Sequence, residues 1–239
     1  RQDDIPGLIY FFIDKYHNNV DDSQDYTTTT SRYGGQLRYR LNESGTSLTA
    51  GLQVQDRSND APVDESGWID DSVETLNFGI MQSFDFLDGR HDLRVDWRNV
   101  ERTSDANDVN NSTQDTITVS LTSRWTCGFQ LDLLYGNTDS DFPGRERFTE
   151  VNRYSTRLSY AHPDRTFNLW TRWEGVRSEG NQATYDSDRD TLEFGMKWML
   201  GDDLSLESSV RFVDFDDHMD NANDFEEHTF RIMLVQLLR

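Results

Sequence analysis

The feature that most constrains this chain is an alternation of apolar and polar residues with a period of two, recurring along nearly its whole length. Between residues 74 and 86, for example, Leu76, Phe78 and Ile80 alternate with smaller or polar residues. Because successive side chains of a β-strand point to opposite faces of its sheet, each such segment predicts a strand with one apolar and one polar face. The predicted strands are Leu8–Asn18, Ser31–Leu41, Ser47–Gln55, Glu74–Phe86, Asp92–Arg102, Asp115–Thr126, Phe129–Asn137, Val151–Ala161, Thr166–Val176, Thr191–Leu200, Leu204–Asp214 and Glu227–Leu238.

The connections between these segments alternate between short and long. The short ones carry the Gly, Asp and Pro residues that supply turn dihedrals: Asn42–Thr46, Leu87–Arg90, Cys127–Gly128, His162–Arg165 and Gly201–Asp203. The others are roughly ten to eighteen residues long and rich in Asp, Asn, Ser and Thr, and this asymmetry is typical of outer-membrane barrels. The sequence therefore predicts an all-β fold, a transmembrane antiparallel up-and-down β-barrel of about twelve strands, with short periplasmic turns and longer acidic extracellular loops.

We expect one barrel domain over residues 1–239, with residues 1–7 as a periplasmic lead-in. The chain opens without the apolar core of a secretory signal, so we expect a mature form or part of a longer precursor, and the lead-in is a candidate remnant of an upstream segment. The single cysteine, Cys127, excludes an internal disulfide bond.

Composition excludes most other classes of fold. Only 34% of residues are hydrophobic and the net charge is −21, values typical of disorder, but aromatic residues reach 12% and the pattern is periodic. No apolar run approaches the ~20 residues of a transmembrane helix. A soluble β-sandwich or a β-solenoid is the alternative. A sandwich favours shorter strands, and a solenoid requires a repeated motif that this sequence lacks.

The apolar parity of each predicted strand is expected to face lipid, with aromatic residues mainly near the strand ends, where interfacial girdles lie. This parity comprises Tyr33, Leu37, Tyr39, Leu48, Ala50, Leu52, Val54, Leu76, Phe78, Ile80, Phe84, Leu93, Val95, Trp97, Ile117, Val119, Leu121, Trp125, Phe129, Leu131, Leu133, Tyr135, Tyr154, Leu158, Tyr160, Phe167, Leu169, Trp173, Leu192, Phe194, Met196, Trp198, Leu204, Leu206, Val210, Phe212, Phe230, Ile232 and Leu234.

The opposite parity carries twelve basic but only six acidic side chains, although acidic residues outnumber basic ones by 44 to 23 in the whole chain. Turns and loops must therefore hold most of the negative charge. Two interpretations follow: the arginines pair with carboxylates to fill the lumen, or their excess forms a path for anions. The candidate lumen and selectivity residues are Arg38, Arg40, Arg94, Arg98, Arg153, Arg157, Arg172 and Arg211.

Motifs of enzymes and cofactor sites are absent from the sequence. It contains no GxSxG, HExxH, P-loop or GxGxxG pattern, and its five histidines are scattered along the chain. The acidic stretches around Asp105–Asn110 and Asp214–His218 lack the spacing of an EF-hand loop. We therefore expect neither an enzyme nor a cofactor, catalytic site or metal site, and no nucleic-acid partner, since there is no exposed basic patch.

In strand count, chain length and inward arginine set, the chain resembles the small outer-membrane barrels of Gram-negative bacteria, and most closely their twelve-stranded channels for acidic sugars. The C-terminal residues Gln236–Arg239 depart from the terminal aromatic residue usual in that wider group. The resemblance implies a location in the bacterial outer membrane, contact with lipid and lipopolysaccharide, and a channel that passes small anionic solutes through an arginine-lined lumen.

The alternative function is a non-conducting barrel. It would anchor or sheathe an export or electron-transfer assembly, or form the C-terminal barrel of a longer protein, with a periplasmic or lumenal protein as partner. Leu8–Ile13 and Ile232–Val235 are apolar on both parities, and we expect these two segments to be neighbours where the barrel closes. Residues 1–6 are polar and suited to follow an upstream domain.

Overall fold

The computed structural model describes residues 7–18, 26–41, 44–63, 68–164, 166–181, 186–201, 203–218 and 220–236. Twelve predicted strands are confirmed: β1 Gly7–His17, β2 Thr28–Leu41, β3 Thr46–Asn59, β4 Asp70–Phe86, β5 Gly89–Ser104, β6 Ser112–Trp125, β7 Phe129–Phe142, β8 Arg147–Ala161, β9 Phe167–Gly180, β10 Ser187–Met199, β11 Leu204–Asp217 and β12 Phe225–Gln236. The predicted lead-in falls almost entirely outside the described residues, and its last member, Gly7, begins β1.

The strands follow one another in sheet order from β1 to β12, which is an up-and-down topology. The registers of the pairs β1–β2, β2–β3 and β3–β4, and of the pairs from β9 to β12, are antiparallel. Two residues, Leu87 and Asp88, join β4 to β5, and both have positive φ, as a type I′ hairpin turn requires. Local turn chemistry therefore sets the order in which neighbouring strands pair.

The strands extend beyond the predicted segments at the ends joined by the longer connections. β4, for example, begins at Asp70, four residues before the predicted start, and β8 begins at Arg147 instead of Val151. Polar cross-strand contacts stabilise these extensions, as in the ion pair of 3.3 Å between Arg102 and Asp71. The apolar alternation reports the part of each strand that needs an apolar environment, so it underestimates the length of the hydrogen-bonded ladder.

The helices of the described ranges are short 3₁₀ turns at residues 108–110, 143–145 and 221–223. No helix in these ranges is long and apolar enough to cross a membrane.

By contact density the chain divides into two compact units. The first comprises residues 1–82, 95–117 and 138–149, and the second comprises 83–94, 118–137 and 150–239. β1 to β4 lie in the first unit except for the last four residues of β4, and β8 to β12 lie in the second except for the first three residues of β8.

The described residues lack the hydrophobic core of a soluble protein. The only buried hydrophobic side chains among them are Ala61 and Val213. The apolar parity is exposed instead, with Leu52 at 44%, Phe78 at 50% and Phe194 at 48% of the side chain's full accessibility. A β-sandwich would bury these side chains between two sheets, so the soluble alternative is wrong. The predicted fold class, an antiparallel transmembrane β-barrel, is confirmed.

Aromatic side chains form two rows on the apolar face of the second unit. One row lies at the short-turn ends of β7, β8 and β9, where Phe129 contacts Tyr160 at 4.7 Å between ring centroids and Tyr160 contacts Phe167 at 5.9 Å. The other row joins Tyr135 to Tyr154 at 5.4 Å and Tyr154 to Trp173 at 6.4 Å. On each strand the two aromatic residues are about 20 Å apart at ~3.4 Å per residue, a spacing suited to the two interfacial girdles of an apolar band ~25 Å tall.

Candidate anion-binding wall on the polar face

The predicted arginines lie on five strands. Strand register determines which residues lie opposite them on the neighbouring strands. Arg38 and Arg40 on β2 are opposite Thr49 and Ser47 on β3, within the polar parity. Arg94 and Arg98 lie on β5, Arg153 and Arg157 on β8, Arg172 on β9 and Arg211 on β11. Arg38, Arg40 and Arg98 belong to the first unit, and the other five belong to the second.

In the second unit one row of side chains crosses four strands. Arg172 on β9 is opposite Glu193 on β10, which is opposite Arg211 on β11, and Arg211 is opposite Thr229 on β12. This row lines a recess of about 300 Å³. We call it the β9–β12 recess; its lining residues are Arg172, Glu174, Thr191, Glu193, Ser209, Arg211, Thr229 and Arg231.

A second recess of about 630 Å³ adjoins the first and shares Arg172 and Arg211 with it. Arg153 also lines it, so the fold brings three of the eight predicted residues to one place. Arg189, which lay before the predicted start of its strand, contributes a further guanidinium. The fold thus gathers basic side chains from β8 to β11 on one polar wall.

Ion pairs neutralise part of the charge on the polar parity. Arg172 bonds the neighbouring carboxylate of Glu174. Lys197 donates to Glu207 at 2.7 Å, and Arg124 lies 3.2 Å from Asp92. Each of these pairs lies within one strand or between neighbouring strands, so they neutralise charge along the wall itself.

Most of the predicted arginines are not paired in this way. Among the described residues, no hydrogen bond or ion pair engages the side chains of Arg38, Arg40, Arg98, Arg153, Arg157 or Arg211. Arg94 does have an interaction partner. The Nε atom of Arg211 is buried and without a hydrogen-bond partner among the described residues. A buried donor without a partner costs free energy, and among the described arginines of this wall Arg211 carries such a donor.

An aromatic side chain on this wall was not predicted. Trp170 is opposite Gly195 across β9 and β10, and its indole covers the glycine. This relationship depends on the register between two strands, which the alternation along each strand does not give.

Neither a protein-family model nor a curated protein sequence matches this chain. Its fold is similar to the siderophore receptor PirA of Pseudomonas aeruginosa, with a TM-score of 0.65 and 13% identity over 97% of this chain and 42% of the receptor. A loop-deletion mutant of OmpT, an outer membrane protein of Vibrio cholerae, gives a TM-score of 0.47 and 13% identity over 95% of this chain and 98% of that one. An anion-selective porin of Comamonas acidovorans gives 0.41 and 10% over 88% and 90%.

These structures are outer-membrane β-barrels. The likeness to PirA supports the fold, although this chain spans less than half of the receptor's length. The predicted location in the bacterial outer membrane agrees with this fold and with the exposed apolar face.

Proposed function

We propose that the chain forms an outer-membrane channel that passes small anionic solutes along its arginine-bearing polar face. The observation that carries this proposal is the set of guanidinium groups that have no carboxylate partner in the part of the chain that the structure describes. Among them, Arg153 and Arg211 line one recess. In a lumen that served only as a filled support, buried charges would have to be paired. Free guanidinium groups instead raise the local concentration of anions, since low-dielectric walls focus the field of a lining of one sign.

The residue type supports the same function. A guanidinium presents a planar fork of donors that matches a carboxylate or a phosphate, whereas a lysine ammonium acts as a point charge. At seven of the eight candidate positions, the arginine has either no partner among the described residues or only a neighbouring carboxylate. The binding groups belong to strands, so the hydrogen-bonded ladder holds them in place as a solute passes.

The proposal extends to the class of solute and to the membrane lipids that surround the barrel. The resemblance to channels for acidic sugars suggests uronic acids as solutes. The aromatic rows on the apolar face suit contact with outer-membrane lipid and lipopolysaccharide. The groups that carry this proposal are binding groups, and we propose no catalytic role for them.

Conductance of the purified protein in a planar bilayer tests the proposal. With a tenfold KCl gradient across the membrane, an open anion path gives stepwise currents and a reversal potential of the sign set by chloride. Adding a uronic acid to one side should interrupt those currents if acidic sugars enter the path. Absence of stepwise current would favour the non-conducting barrel, and a reversal potential set by potassium would contradict the anion path.

A further inference from the structure

The β9–β12 recess contains free groups of both charges. Arg211 and Arg231 have no hydrogen bond or ion pair among the described residues, and neither does the carboxylate of Glu193. Glu193 is directly opposite Arg172 on one side and Arg211 on the other. Arg172 bonds Glu174 instead, so Glu193 is left as a free acceptor between basic side chains.

We propose that this recess binds one inorganic phosphate ion, and that Glu193 discriminates it from sulfate. The inference deepens the proposed anion path, because the recess belongs to the same wall, but binding can be measured whether or not the barrel conducts. Arg211 and Arg231 would hold phosphate oxygens through their donors, the commonest guanidinium role toward phosphate.

Glu193 supplies the discrimination through proton chemistry. A carboxylate only accepts hydrogen bonds, so it repels an oxyanion without a proton and binds one that carries an O–H. Inorganic phosphate keeps at least one proton throughout the neutral range, whereas sulfate has none. A phosphate monoester loses its last acidic proton with a pKa of about 6, so above neutrality it resembles sulfate in this respect. The recess should therefore prefer inorganic phosphate to both.

The size and lining of the recess fit a small ion. A volume of about 300 Å³ is at the lower end of ligand pockets, and it would hold about ten waters at ~30 Å³ each. The hydroxyl groups of Thr191 and Ser209 line the same space and can donate to phosphate oxygens or accept from its O–H. The hydroxyl of Thr229 donates to Glu227 at 2.7 Å, so it can only accept from the phosphate O–H. The recess is therefore large enough for one oxyanion with part of its hydration water.

Titration calorimetry of the detergent-solubilised protein at pH 8 tests the inference, with sodium phosphate, sodium sulfate and methyl phosphate compared at equal ionic strength. All three are then mainly dianions, so net charge does not separate them. The native protein should bind phosphate about tenfold or more tightly than either competitor, because the site's charged acceptor is satisfied only by the protonated ion.

Three substitutions locate the effect. Glu193→Gln should bring the phosphate and sulfate affinities together, since an amide no longer repels the unprotonated ion. Arg211→Gln should weaken binding of both ions. Arg90→Gln removes an exposed arginine at the β4–β5 turn and should leave both affinities unchanged. Circular dichroism and heat-modified gel mobility verify that each variant is folded.

The outcomes separate this inference from the proposed function. Equal affinities for phosphate and sulfate in the native protein, or a Glu193→Gln variant that keeps the native ratio, would overturn the phosphate site even if the pore is anion-selective. If the protein discriminates phosphate from sulfate but gives no stepwise current, the phosphate site is supported and the proposed channel function is contradicted.

Discussion

The indole of Trp170 lies across Gly195, the residue directly opposite it on the neighbouring strand of the polar face. A β-carbon at position 195 would overlap the indole ring, so Gly195→Ala must displace Trp170. We expect a loss of about 1–3 kcal/mol in unfolding free energy, as for other overpacked positions. The matched control is Gly201→Ala, because a β-carbon at 201 meets no described atom within 4 Å. Urea unfolding in lipid vesicles measures both, and equal midpoints would contradict the Trp170 contact.

The strands and their two faces could be predicted from the sequence because a period of two reports the sidedness of a strand directly. Leu52 and Gln53 are neighbours in the chain, and their parity alone assigns them to opposite faces. The polar ends of β4 and β8 could not be predicted in this way, because Asp70–Val73 and Arg147–Glu150 pair without apolar alternation.

The details of the wall depend on register, which the sequence gives poorly. Arg153, Arg172 and Arg211 belong to different strands, and nothing in the sequence around each one indicates that they line one recess. Arg172 pairs with Glu174 and not with Glu193, and this pairing depends on side-chain rotamers as well as on strand register. Twelve basic residues on one parity therefore predict a basic wall, but they do not predict which of its side chains lack a carboxylate partner.

The assignment of faces predicts a difference between neighbouring substitutions. Leu52→Arg places a guanidinium on the apolar face and should cost up to ~2–4 kcal/mol if Leu52 lies near the membrane midplane. Gln53→Arg places it on the polar face and should cost less. Denaturant titration of both variants in lipid vesicles measures the difference. Equal destabilisation would show that Leu52 and Gln53 do not face lipid and water, respectively.

Orientation in the membrane is a separate prediction. Cys127 is exposed in the short connection between β6 and β7, and we expect this connection to be periplasmic. A membrane-impermeant maleimide added to intact cells should therefore leave Cys127 unlabelled. In a Cys127→Ser background, Asp108→Cys in the connection between β5 and β6 should be labelled. The reverse pattern would invert the topology.

His91 should stabilise the aromatic cluster that it forms with Phe84, Phe86 and Trp125 near the β4–β5 turn. It is only 6% exposed, its Nδ1 is 2.8 Å from Ser123 Oγ, and its Nε2 is 2.9 Å from the carbonyl of Phe86. The imidazole also stacks against Phe84 at 5.1 Å. His91→Ala leaves the buried hydroxyl of Ser123 and the part-buried carbonyl of Phe86 without these partners, so we expect a loss of about 1–3 kcal/mol. His162→Ala, at a more accessible short turn, is the control for denaturant titration in vesicles.

The unpaired arginines of the wall should determine ion preference. Arg153 and Arg211 line the same recess, and neither has a partner among the described residues. Replacing both with Gln should move the anion-to-cation permeability ratio towards one, because the lining loses two positive charges while the side chains stay polar.

The salt dependence of the permeability ratio provides a check on that experiment. The difference between native and doubly substituted channels should be largest near 0.1 M salt, where the screening length is ~10 Å, and should shrink near 1 M, where it is ~3 Å. The matched control is Arg177→Gln, since Arg177 lies on the opposite parity of β9 and pairs with Asp190 at 2.6 Å. That variant should keep the native permeability ratio at both salt concentrations. If Arg177→Gln changed the ratio as much as the double substitution does, the ion preference would arise from charge at the ends of the strands and the polar wall would have no selective role.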